Sequence, residues 1–216
     1  MVDRTQIKSL FWDFDGVIMN SMAIRDQGFL EVLKNFPNEE VAKLMIYHQE
    51  NGGLSRYHKF RYFFENIRKE SVSDEDIQEY AVRFSQFVIQ YLSNSELLIM
   101  DSLNFIEKYY HQIDMHIVSG SDQTELRGLC KELNISHFFK SINGSPTKKT
   151  DLVKQLLIEH GYNPSNVCLI GDSKNDLEAA MDHGLVFWGY NNELLRKPDY
   201  PYIESFEQVI IEESPI

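Results

Sequence analysis

Short apolar runs separated by amphipathic helical stretches recur along most of this chain, and no other feature restricts its fold as much. Residues 7–15, Ile-Lys-Ser-Leu-Phe-Trp-Asp-Phe-Asp, form the first and end in a polar turn at Gly16. Others follow at Met115–Val118, Phe138–Ile142, Val167–Ile170 and Val186–Tyr190. Runs this short, with little alternation, predict strands buried on both faces. Leu126, Leu129, Cys130 and Leu133 keep three-and-four spacing, as do Leu152, Leu156 and His160 beside Val153 and Leu157. Ala179, Ala180 and Met181 belong to one more short helix. Strand–helix alternation of this kind predicts parallel βαβ units with right-handed crossovers.

Residues 18–95 break the alternation. Phe29, Leu33 and Phe36 share one helical face; Val41, Leu44, Met45 and His48 follow, with Asn38 as the expected N-cap. Phe60, Phe63, Phe64 and Ile67 make the next stripe. After a capping-box-like segment from Ser73 to Asp76, Ala81, Phe84, Phe87, Val88 and Tyr91 make the last. The reading is α/β: a Rossmann-like parallel sheet core from residues 1–17 and 96–216, with an all-α helical bundle inserted over 18–95. Linkers are expected near Val17–Ser21 and Ser93–Glu96.

With 33 acidic and 21 basic side chains the 216-residue chain has a formal net charge of −12. That excess repels duplex nucleic acid and anionic membrane as bulk partners. No run approaches the ~20 apolar residues of a membrane span, and the start, Met1 to Lys8, has no apolar leader core. The expectation is a cytoplasmic protein, a monomer or homodimer, with no nucleic-acid or membrane partner. Cys130 and Cys168 sit in apolar patterns and read as buried thiols rather than a disulfide or half a zinc site. The charge is uneven, however. Residues 56–69 hold Arg56, Lys59, Arg61, Arg68 and Lys69 against Glu65 alone, and a small anion is compatible with that.

The chemistry concentrates at strand ends. Asp13 and Asp15, two residues apart in an extended chain, point the same way at the carboxyl edge of a parallel sheet, where ligands of open α/β folds bind. Their repulsion calls for a cation or a shared proton. A second apolar run ends in Gly171-Asp172, with Asp176 four residues later. Two such clusters on one edge make an oxygen-rich pocket suited to Mg²⁺. Ile117-Val118-Ser119-Gly120-Ser121 closes a strand with a hydroxyl and backbone N–H groups ahead of a helix, an anion-binding arrangement or simple N-capping by Ser121. Lys148 and Lys149 open another helix, where the macrodipole disfavours cations, which suggests a purpose other than helix stability.

These residues together resemble the haloacid dehalogenase-like hydrolase superfamily over nearly the whole chain. The motif-one acids are Asp13 and Asp15, the strand-end hydroxyl is Ser119, the lysine is Lys149 with Lys148 as the register alternative, and the acidic motif is Asp172 and Asp176. The insert resembles the helical cap of the phosphoglycolate phosphatase and β-phosphoglucomutase type. The resemblance implies a Mg²⁺-dependent phosphatase acting on a small phosphorylated metabolite, with a sugar phosphate as one possibility. Asp13 would attack phosphorus to form an aspartyl-phosphate and Asp15 would act as general acid and base. The metal would be held by Asp13, the Asp15 carbonyl and Asp172, with Asp176 reaching it directly or through water. Ser119, Gly120 and Lys149 would grip the phosphoryl oxygens.

The chain departs from the family pattern in places. Asn20-Ser21 replaces an acid followed by Ser or Thr, and Thr150 stands where a Pro usually follows the lysine. Arg25 stands where β-phosphoglucomutases carry an assisting His, which weakens the phosphomutase alternative. A phosphoacceptor signalling domain, a more distant alternative, needs neither the insert nor Asp15. Gly52-Gly53-Leu54-Ser55-Arg56 looks like the family's sugar-phosphate loop, so Arg56 and Lys59 are the candidates for substrate specificity, Arg56 with a packing or salt-bridge role as its alternative.

Overall fold

The computed structural model describes residues 7–211. The N-terminal residues 1–6, part of the segment in which no leader is read, and residues 212–216 lie outside that range. A six-stranded, wholly parallel sheet has the order β3-β2-β1-β4-β5-β6. β1 (Ser9–Trp12) lies at its centre and is buried throughout. Leu10 and Trp12 face one apolar cluster and Phe11 the other, the alternation a strand imposes. Both faces being covered explains why β1 reads as a continuous apolar run.

From β1 the chain enters four helical segments: α1 (Met22–Val32), α2 (Asn38–Glu50), α3 (Arg56–Tyr62) with a π-helical continuation at Phe63–Arg68, and α4 (Asp74–Leu92). They pack on one another through aromatic rings. Phe29 lies 5.2 Å from Phe60 and 4.7 Å from Phe84, centroid to centroid. Ser73 and Asp76 form the reciprocal capping box that starts α4. Two details differ from the sequence reading. Pro37, not Asn38, caps α2, and α1 stops at Val32, so Leu33 and Phe36 contribute to the core from beyond the helix.

The chain then returns through α5 (Met100–Tyr109), which the apolar-run reading passes over although its buried Leu103, Phe105, Ile106 and Tyr109 cover the sheet. β2 (Asp114–Asp122), α6 (Gln123–Glu132), β3 (Ser141–Ser145), α7 (Lys149–His160), β4 (Val167–Gly171), α8 (Lys174–His183) and β5 (Val186–Tyr190) follow. β6 (Tyr202–Ile203) is too short to read from sequence. The strand expected at Phe138–Ile142 begins at Ser141 instead, because a 3-10 turn occupies Ser136–Phe138. Cys130 and Cys168 are buried free thiols, and Phe11, Trp12 and Trp188 are core residues.

Candidate active site

Register places the chemistry. Trp12 pairs with Ile117 on one side and Ile170 on the other. The next residues, Asp13, Val118-Ser119 and Gly171-Asp172, therefore leave the sheet side by side at its carboxyl edge. β1 lies where the strand order reverses, the position at which open α/β sheets bind ligands. Asp13 N–H still donates to Ile170 O at 2.9 Å, so its carboxylate is held by the ladder. Gly16 turns the chain with φ +76°, and a Cβ there would lie 2.0 Å from Asp172 Oδ2. No side chain fits between these two acidic motifs.

Carboxylate oxygens of Asp13, Asp172 and Asp176 all lie within 4.8 Å of one another. Lys149 Nζ sits 2.9 Å from Asp13 and also bonds Asp176. Of the two candidate lysines, then, Lys149 turns into the cluster. Its unfavourable place in the first turn of α7 is offset by two carboxylates. Ser173 caps α8 and fixes Asp176 reciprocally, its N–H and Oγ both donating to Asp176 Oδ2. Burial and the charge of Asp176 outweigh Lys149 and push Asp13 up to about 7. Burial, with Asp13 and Asp176, drives Asp172 well above the carboxylate range. Three carboxylates this close, with Asp13 and Asp172 costly to ionise, fit a hard divalent cation such as Mg²⁺.

Asp15 is treated differently. Ser21 Oγ and Arg25 Nε donate to its Oδ1, and Ser121 Oγ donates to Oδ2. Burial alone would raise its pKa, but Arg25 and the hydroxyl donors hold it below the ordinary range. Ser121 thus serves Asp15; the helix cap expected of it belongs to Asp122, which accepts Glu125 N–H. Ser119 is buried behind the lining, its Oγ accepting Ser121 N–H at 3.1 Å.

Over these groups α1–α4 present a buried ionic roof. Arg56 grips Glu125 of α6 with two nitrogens, at 2.6 and 2.8 Å, and lies over the Phe84 ring. Arg25 Nη1 reaches the same carboxylate at 3.0 Å. Lys59 Nζ donates to His48 Nδ1 at 2.7 Å and Gly52 O at 3.2 Å. Burial lowers Lys59 to about 7, and burial with the Lys59 charge keeps His48 neutral at about 3. The basic stretch 56–69 does not form one cationic face. Arg56 and Lys59 turn inward, whereas Arg61 pairs with Glu65 and Asp74, and Arg68 with Glu40 and Glu70, at the surface. Helical periodicity divides the run between two faces, which a charge count does not register.

The roof and floor touch. Gly53 O would lie 2.3 Å from a Cβ on Gly120, and Tyr57 OH donates to Asp122 at 2.7 Å. The inner cleft, bounded by Asp13, Asp15, Arg25, Lys59, Gly120 and Asp172 among others, has a free volume of about 30 Å³, the share of about one water. A wider cleft of about 600 Å³ opens beyond Gly53 and Gly120 and is lined by Lys148, Lys149 and His58.

Residues 10–189 match the family described as haloacid dehalogenase-like hydrolase. The chain belongs to this family. Among its relatives is a curated phosphoglycolate phosphatase of Aliivibrio fischeri, 24% identical over 86% of each chain. A β-phosphoglucomutase of Clostridium difficile superposes with a TM-score of 0.75 at 16% identity, covering 94% of this chain and 93% of its own. A putative hydrolase of the family from Bacillus subtilis, solved bound to magnesium, gives a TM-score of 0.66 at 19% identity over 94% and 96%. Both structures share the fold. Membership makes the chain a hydrolase, and the curated relative is consistent with phosphoric monoester hydrolysis. Among the described residues no helix is long and apolar enough to cross a membrane.

Sequence reasoning missed Glu125, the anchor of both arginines. At the third position of α6 it reads as an ordinary acid favoured by the helix dipole. Its partners lie 69 and 100 residues away, and no local signal announces them.

Proposed function

We propose that this protein is a Mg²⁺-dependent phosphatase that hydrolyses a small phosphomonoester, a sugar phosphate being the leading class, through an aspartyl-phosphate on Asp13. The reading rests on one juxtaposition: Asp13, Lys149 and the Asp172–Asp176 pair share one sheet edge with Asp15. Residues 18–95 would serve as a cap over a core of 1–17 and 96–216. Function would be cytoplasmic, on a free metabolite, without nucleic acid or membrane.

Asp13, Asp172, Asp176 and the Asp15 carbonyl would hold the metal. When bound, Mg²⁺ supplies the positive charge that ionises Asp13 and lets it approach an anionic phosphate. Asp13 attacks phosphorus, which divides one displacement into two. Lys149 and the Ser119–Gly120 backbone grip the phosphoryl oxygens, where charge stabilisation is the dominant aid to phosphoryl transfer. Asp15 protonates the leaving oxygen and then deprotonates water; Arg25 and the two serines hold the carboxylate form that the second step uses. Arg25 keeps its charge and offers no titrating group to assist proton transfer, which favours hydrolysis over mutase chemistry. Lys59 would shape specificity from the cap, while Arg56, engaged with Glu125, would hold the cap to the core.

The test is release of inorganic phosphate from a panel of phosphometabolites with Mg²⁺ and with chelator. Metal-dependent release supports the reading, and no release from any member refutes it. Stability supplies a second measurement. Between pH 3.8 and about 7 the folded metal-free chain keeps a proton on Asp13 that the unfolded chain has lost. This contribution to stability therefore falls as pH rises through that window. Mg²⁺ takes the proton's place, so the gain in melting temperature from the metal grows with pH. It should reach about 5–10 °C at pH 8 with Mg²⁺ a hundredfold above Kd. A gain that shrinks as pH rises from 5 to 8 contradicts the assignment.

Closure can be tested separately. Gly120→Ala sets a methyl against the Gly53 carbonyl, a backbone atom that cannot rotate aside. We expect kcat/KM to fall about 10- to 100-fold with little change in urea unfolding. Undiminished activity would mean that the Gly53–Gly120 contact is absent from the active form.

A further inference from the structure

The roof of the cleft holds one more basic side chain than its carboxylates engage. Arg56 is fully engaged: Glu125 takes both terminal nitrogens and Ser85 accepts from one of them. Its role is therefore to seat the cap on the core, the salt-bridge alternative of the sequence reading. Arg25 spends Nε on Asp15 and Nη1 on Glu125, but its Nη2 is buried without a hydrogen-bond partner. The residue is only 6% exposed and borders the cleft. Lys59, 2% exposed, borders it too and bonds only neutral groups, the His48 ring and the Gly52 carbonyl. Asp26 stands beyond His48, 2.9 Å from Nε2, and no ion pair joins any carboxylate to Lys59 among the described residues. Of three basic side chains here, Arg25 and Arg56 pair with the carboxylates of Glu125 and Asp15, and Lys59 pairs with none.

We infer that Arg25 and Lys59 form an anion subsite that receives a second negatively charged group, a carboxylate or phosphate, on the leaving alcohol of the substrate. A buried cation without a counter-charge is costly, and so is a buried guanidinium nitrogen without an acceptor. An anionic oxygen group placed between them satisfies both at once. Asp13 and Asp15 line the same cleft, and Arg25 bonds Asp15 directly, so the second group would lie close to the phosphoester, on the leaving alcohol. A neutral hydroxyl in that place could accept from Arg25 yet would leave Lys59 uncompensated. The inference rests on the phosphatase reading and adds the class of substrate to it.

Matched pairs of substrates test this. One pair is 3-phosphoglycerate and glycerol 3-phosphate, which differ in a carboxylate; the other is fructose 1,6-bisphosphate and fructose 6-phosphate, which differ in a phosphate. The wild-type enzyme with Mg²⁺ should favour the more anionic member of at least one pair by about tenfold or more in kcat/KM, the factor one charge-assisted hydrogen bond supplies. Which pair shows the preference tells carboxylate from phosphate. Lys59→Met, close in size and uncharged, should remove most of that preference through KM, with kcat much less affected. No preference in either pair overturns the inference while leaving the phosphatase reading intact, and so does an equal loss on both members in Lys59→Met. If that variant does not fold, the wild-type ratios decide alone. Absence of hydrolysis of all four compounds overturns the inference together with the reading beneath it.

Discussion

Asp13→Asn should lose phosphatase activity by about 10⁴-fold or more, the scale on which removal of a nucleophile acts, while the chain stays folded. Asn keeps the side-chain volume and can still accept the Phe14 N–H that now bonds Asp13 Oδ1 at 2.8 Å. It cannot form the acyl phosphate. The stability arm of this prediction runs against the usual cost of altering a buried charged site. In the metal-free protein Asp13 adds to the repulsion around Asp172 and Asp176, so its neutral replacement should leave the unfolding midpoint unchanged or higher. Mg²⁺ should then stabilise the variant less than wild type, because one of its ligands has been weakened. Thermal melts with and without metal, beside phosphate-release rates, read both effects. A variant that melts early even without metal would mean that Asp13 is structural.

Lys149→Met should lower kcat/KM by about 10²–10³-fold, comparable to removing one preorganised donor from a developing anion. It should also destabilise the metal-free protein. Burial alone would drive the Lys149 ammonium down, yet Asp13 and Asp176 hold it well above its usual value, which marks it as their counter-charge. Removing one partner from a buried ionic group costs about 3–5 kcal/mol, less whatever protonation of Asp13 relieves. Saturating Mg²⁺ should recover much of this stability but little of the activity, since the metal can neutralise the carboxylates without gripping the phosphoryl oxygens from the same side. Equal recovery of both would assign Lys149 to charge balance alone. Lys148, which lines the outer cleft, is the control: its replacement by Met should cost far less on both measures.

Much of this arrangement could be read from sequence because strand ends in a parallel sheet have a shared fate. Asp13 and Asp172 each follow a short apolar run, and pairing of Trp12 with Ile170 sets the two motifs on one edge without any further information. Lys149 was legible for the opposite reason, as a cation in a first helical turn where only a nearby anion makes it favourable. The helices between β1 and α5 were legible through their aromatic stripes. What escaped reading was nonlocal. α5 has an ordinary amphipathic face but lies between the insert and β2, where no flanking motif separates it from either. Glu125 looks like a helix-capping acid, and only the folded chain brings Arg25 and Arg56 to it. Net charge over residues 56–69 misled in its own way, because the helix sends Arg56 and Lys59 inward and Arg61 and Arg68 to surface carboxylates.

The central claim is that a phosphoryl group passes through Asp13. Asp15→Asn keeps the backbone carbonyl and the nucleophile but removes the group that protonates the leaving oxygen and activates water, so with an aryl phosphate, whose leaving group needs no proton, the acyl phosphate should form and outlive turnover. After brief reaction with the aryl phosphate and Mg²⁺, followed by acid quench, the peptide bearing Asp13 should gain the mass of one phosphoryl group and lose it to hydroxylamine. Steady phosphate release by Asp13→Asn, with no phosphoryl group captured on that peptide in Asp15→Asn, would contradict the account.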